Sequence, residues 1–250
     1  MSGWGAQSFQ AVWFFGSQDV DVSTLFEAIV GAKADVVQQQ SIGVSVATGG
    51  DANTQFNCQV QPGRVDYFET PRPRLGGQFP LFEDHAVALE AFEQRVTKGC
   101  PVIGDAVRLA TLLTMFYETE TSAEAIAELA RLTGAAVPFR DGLDFSFQIN
   151  RRIVSSGVSG VVFNRLLRWQ YQALQQVEMT KTTPKIRNVD FATITIDLNS
   201  VATIETLFQP DVQVLIWKEM RALVSGISRD RSIGATGRCP ISALQLNQPE

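Results

Sequence analysis

The feature that most restricts this chain is a period of two in its apolar residues. Phe145, Phe147 and Ile149 alternate with Ser146, Gln148 and Asn150, and Val189, Phe191, Ile194 and Ile196 recur between Arg187 and Leu198. Successive side chains of a strand point to opposite faces, so each run implies a sheet that buries one side. Val107, Leu109, Thr111, Leu113 and Met115 alternate with a second, also largely apolar set. That pattern reads as a long strand covered on both faces, with a buried helix as the alternative.

Further strands are expected at Phe9 to Phe15, at Ile42, Val44 and Val46, at Phe56, Cys58 and Val60, and from Arg64 to Glu69. Gly49 to Asn53 reads as an antiparallel connection, and the prolines and glycines of residues 71 to 80 as a loop. Leu167, Trp169 and Tyr171 alternate with Arg168, Gln170 and Gln172, but Leu167, Tyr171, Leu174 and Val177 fit a helix equally well. Thr24 with Glu27, and Thr121 with Glu124, have the spacing of a capping box. Asp84 reads as the cap of a helix ended by Gly99, and Pro210 as the first turn of one ended by Gly226. Ser155 to Gly160 reads as a flexible Gly/Ser turn, lacking the lysine of a phosphate loop.

The expected fold class is α+β, mainly an antiparallel sheet with helices on one face. The element order suggests two similar β-α-β-β-β-α halves, residues 1–103 and 104–227, followed by an irregular tail, 228–250.

No run of apolar residues is long enough to span a bilayer, and the N-terminus has no signal-peptide pattern, so a cytoplasmic protein without a membrane role is expected. Three widely spaced cysteines, Cys58, Cys100 and Cys239, suggest neither a disulfide framework nor a zinc site. His85 is the single histidine and is expected to face solvent in a helix first turn. No metal-ligand spacing, nucleotide loop or paired-carboxylate motif appears, so no cofactor, no metal and no catalytic residue is assigned.

The net charge is −5, yet residues 145 to 187 hold seven basic side chains against one acid, Glu178. The bases are Arg151, Arg152, Arg165, Arg168, Lys181, Lys185 and Arg187. Strand parity puts Arg152 and Arg168 on the polar side, where they can converge with Arg187 on an exposed sheet face and meet an anionic partner. Trp169 and Tyr171 are the aromatic candidates beside them. Residues 1 to 104 hold eleven acids and six bases, a possible internal or intersubunit counterpart. The leading expectation is a non-catalytic interaction or regulatory protein that associates with another protein or with itself. The alternative is nucleic-acid or nucleotide binding on the basic sheet face. An enzyme on an unrecognised scaffold is the third reading.

Overall fold

The computed structural model describes residues 3–16, 19–40, 43–73, 79–134, 144–179, 184–202 and 206–232. Ile42, Lys181, much of the proline-rich loop and the tail from residue 233 onward lie outside the described residues, as does the Lys185 side chain.

The described elements run β1 (Gly5–Phe14), α1 (Val22–Val30), β2 (Val36–Gln39), β3 (Ser45–Gly50), β4 (Thr54–Gln61), β5 (Arg64–Pro71) and α2 (His85–Ile103). There follow β6 (Arg108–Thr119), α3 (Ser122–Thr133), β7 (Ser146–Val154), β8 (Val162–Met179), β9 (Pro184–Ser200) and α4 (Pro210–Asp230). All nine strands form one antiparallel sheet in the order β2-β3-β4-β5-β1-β6-β9-β8-β7. The chain is therefore α+β, as its periodicity implies. The ambiguous 165–178 region is strand throughout, because β8 lies between β7 and β9 and pairs with both.

The sheet order is matched about its centre. β1 and β6 pair side by side, β5 and β9 flank them, then β4 and β8. The β1–β6 pairing joins the two halves into a single sheet. The first half carries one strand more, the short β2, whose Val-Val-Gln-Gln has no alternation to announce it.

One sheet face is covered by all four helices. Phe9, Ala11 and Trp13 of β1, Leu109, Leu113 and Met115 of β6, and Ile194, Ile196 and Leu198 of β9 are buried there. Phe92 of α2 stacks on Phe9 at 5.4 Å and on Tyr67 at 6.0 Å, and Trp217 of α4 meets Trp13 edge-on at 5.2 Å. Such burial of large rings supplies most of the favourable free energy of a core.

Several helix boundaries differ from the sequence expectation. Asp21, not Thr24, caps α1, its carboxylate accepting from the Thr24 amide at 2.7 Å. Thr121 does cap α3, accepting from the Glu124 amide at 3.2 Å. Gly99 does not end α2; the helix continues through Pro101 to a cap at Gly104, whose φ is +72°. Gly99 instead marks where α1 crosses: a Cβ there would lie 2.8 Å from Ile29 Cγ1. Gly226 likewise lies inside α4, which runs to Asp230.

Among the described residues the opposite sheet face carries no helix. One end of it is closed by residues 79–81, where Phe79, Phe116 and Phe191 pack with centroids 4.8–5.3 Å apart, beside Leu81, Val189 and Leu174.

Candidate binding face

The strand register fixes which side chains share the helix-free face. One row across seven strands reads Gln59, Asp66, Val12, Ala110, Asn199, Asn164 and Arg152. The next reads Asn57, Phe68, Gln10, Leu112, Asp197, Leu166 and Asn150, and a third includes Thr114, Thr195, Arg168 and Gln148. At about 4.8 Å per strand, seven strands span about 29 Å. The face is dominated by amides, hydroxyls and guanidinium groups.

These groups are linked sideways. Gln10 donates to Asp66 at 2.7 Å, and Arg64 holds the same carboxylate through Nε and Nη2, both at 2.7 Å. Phe14 lies between Arg64 and Arg108, whose guanidinium carbons stand 5.3 and 5.1 Å from its ring centre. Arg108 Nη2 donates to Asn199 Oδ1 at 3.0 Å, as does Asn164 Nδ2 at 3.1 Å. The Asn199 amide in turn donates to Asp197 at 3.0 Å. A polar chain thus crosses β5, β1, β6, β9 and β8, with the Phe14 ring as its apolar link. It fixes side-chain orientations before any partner arrives, which lowers the entropy cost of binding.

The five residues singled out from sequence divide. Arg152 and Arg168 stand exposed on the helix-free face, Arg168 Nε donating to Gln148 Oε1 at 3.0 Å. Among the described residues neither has a carboxylate partner. Arg187 shares the face but not the site: it is ion-paired with Glu118 beside the phenylalanine cluster, and eight residues of β9 separate it from Thr195, the partner of Arg168. At about 3.4 Å per residue that is about 27 Å, too far to converge. Trp169 is fully buried under the helices, its Nε1 donating to the Arg231 carbonyl at 2.9 Å, so it is a core residue and not a contact residue. Tyr171 faces the helix side as well and donates to Asp190 at 2.5 Å.

Away from the phenylalanine cluster at its end, the aromatic rings on the helix-free face are Phe14 and Phe68. Even-numbered parity along β1 and β5 was the available signal, obscured because the Phe9–Phe15 run is apolar on both sides. Arg64 and Arg108 were missed because they lie outside the basic segment.

Two other polar features are internally satisfied. The Ser155–Gly160 turn is pinned, not flexible: the Glu219 carboxylate of α4 accepts from Ser155 Oγ at 2.5 Å, the Ser156 amide at 2.7 Å and the Gly157 amide at 3.3 Å. An open cleft of about 980 Å³ lies beside α3, lined by Glu118, Glu120, Glu124, Glu128, Arg131 and Arg187. Glu128 is held by Arg131 and by the Trp4 indole, Glu118 by Arg187, and Glu124 accepts from the Glu120 amide. His85 does not face solvent. Both its ring nitrogens are buried without a partner, and burial, reinforced by the Arg231 charge, lowers its pKa below the usual 6.5. No helix among the described residues is long and apolar enough to cross a membrane.

Comparison with protein-family models, with curated proteins and with solved structures gives no match.

Proposed function

We propose that this chain is a non-catalytic binding protein and that its helix-free sheet face takes single-stranded nucleic acid. The observation that carries the reading is a set of three guanidinium groups on that face, Arg108, Arg152 and Arg168, without a carboxylate partner among the described residues and set among rows of amides. Guanidinium forks suit phosphate oxygens, and amide side chains supply the donors and acceptors that base edges require. Phe68 is the ring available for stacking, the sequence-tolerant part of single-strand recognition, whereas Phe14 is already flanked by Arg64 and Arg108. A width of about 29 Å suits a few extended nucleotides, within the range of single-strand modules.

The overall negative charge is compatible with this reading because the charges are segregated. Asp21, Glu27, Asp84 and Glu90 belong to or cap α1 and α2, on the far side of the sheet. That geometry also bears on charge-driven self-association. An acidic helix layer meeting the arginine face of another copy is a head-to-tail contact, which does not close without a suitable rotation. A cytoplasmic setting accords with the free, buried thiols of Cys58 and Cys100.

The direct test is titration of a fluorescently labelled single-stranded oligonucleotide with the full chain at low salt, followed by anisotropy. Saturable binding that weakens in Arg152→Ala and Arg168→Ala is the expected result. No binding at low salt defeats the reading.

A further inference from the structure

The two edges of the sheet are built differently. β7, at one end, carries Arg151 and Arg152 side by side at its middle, both exposed. Adjacent charges on an edge discourage pairing with another strand, since two such edges would bring four guanidinium groups together. β2, at the other end, is Val36-Val37-Gln38-Gln39, with no charge and no proline. All four residues are exposed, Val36 by 48% and Val37 by 46%. Among the described residues nothing pairs with its outer side.

We infer that β2 is a homodimer contact, pairing antiparallel with β2 of a second copy across a twofold axis normal to the sheet. The backbone sets the register. The Gln40 amide donates to the Val44 carbonyl at 2.8 Å, continuing the register in which Gln39 faces Ser45 and Val37 faces Ala47. Hydrogen-bonded and non-bonded pairs alternate in an antiparallel ladder, so even-numbered residues turn their amides and carbonyls toward β3. Of the odd-numbered residues, Val37 and Gln39 turn theirs outward, whereas the Asp35 amide donates to the Thr48 carbonyl at 2.8 Å. A twofold normal to the sheet keeps each face on its own side only when a residue pairs with one of like parity. Centring the axis on Val37 meets both conditions. Val37 then exchanges two backbone bonds with its own copy, Asp35 lies opposite Gln39, and Val36 opposite Gln38. No like charges face each other, and two exposed valines leave water together.

The occupant is a second copy because this edge is its own complement. A β2-to-β7 contact is head-to-tail and would place valines against Arg151 and Arg152. A four-residue contact is small, so the dimer is weak and concentration-dependent. The twofold axis also sets both helix-free faces on the same side, so an extended ligand could meet both. The inference itself needs no ligand and stands apart from the proposed function.

Sedimentation velocity of the full chain over a wide concentration series tests it. The weight-average mass should rise from the monomer's 27.4 kDa toward twice that value. Val37→Lys, which puts two ammonium groups opposite each other, should raise the dimer Kd at least about tenfold. Gln39→Glu, which sets a carboxylate opposite Asp35 of the other copy, gives the same outcome should Val37→Lys fail to fold. Val154→Lys on the β7 edge should dimerise as the natural chain does. The inference is overturned by a natural chain that stays monomeric throughout, by folded Val37→Lys or Gln39→Glu proteins that dimerise normally, or by loss of the dimer in Val154→Lys.

Discussion

Arg95 grips the buried carboxylate of Glu69 with both arms of its guanidinium, Nε to Oε1 at 2.6 Å and Nη2 to Oε2 at 2.5 Å. The Tyr67 hydroxyl donates to the same carboxylate at 2.9 Å, and Glu69 is only 1% exposed. The pair ties α2 to β5 across the layer boundary. Arg95→Met leaves a buried, half-satisfied carboxylate and should cost about 3 kcal/mol. For a chain of this size that lowers Tm by roughly 6–12 °C. Adding Glu69→Leu should recover part of the loss, because no buried charge then lacks a partner. Thermal unfolding of the single and double variants measures both effects.

His85 gives the protein a pH dependence of known sign. Its folded-state pKa lies below the ordinary 6.5 because burial and the Arg231 charge disfavour the imidazolium. The unfolded chain therefore binds the proton first. The stability contributed by neutral His85 is complete above 6.5 and is lost as pH falls from there through the folded-state value. His85→Leu should remove this part of the slope. Tm measured for both proteins above and below the ordinary imidazole value should show the natural chain losing more stability on acidification.

Burial pushes the Cys58 and Cys100 thiols up to about 12. A thiol held protonated is a poor nucleophile. Iodoacetamide at neutral pH should leave both unmodified in the folded protein and alkylate both in denaturant, as read by peptide mass mapping.

Asp197 lies on the binding face, on β9 in the row between those of Arg168 and Arg152, half-buried and hydrogen-bonded to Asn199. Its charge opposes an anionic partner. Asp197→Asn should tighten oligonucleotide binding, by about tenfold at most at low salt, where a single charge is least screened. Titration side by side with the natural chain checks the direction.

The fold class was legible because alternation of apolar side chains is a direct image of a sheet. Phe145 to Asn150 and Arg187 to Leu198 carried it. Helix ends were less legible. Gly99 resembles a terminator in sequence, but its lack of a Cβ serves contact with Ile29, a tertiary cause that local spacing cannot express. β2 was invisible because four exposed residues need no apolar pattern.

The candidate site was half legible for a related reason. Parity separated Arg168 from Trp169 correctly, and Arg152 from Arg151. It could not show how far along β9 Arg187 lies, nor that Glu118 would meet it. Arg64 and Arg108 came from distant strands and joined the face only through the β5-β1-β6 pairing. The helices' choice of one side, which decides which parity is buried, is likewise set by packing and not by any single run.

Binding of nucleic acid by the helix-free face is tested by the salt dependence of oligonucleotide binding in the natural chain and in Arg152→Ala/Arg168→Ala. Single-strand affinity falls with a log–log slope of about −0.7 per phosphate contact. Three contacts from Arg108, Arg152 and Arg168 predict a slope of about −2 for the natural chain, reduced to about −0.7 in the double variant. Binding with equal slope and affinity in both proteins would contradict the account, because the oligonucleotide would then be held by another surface.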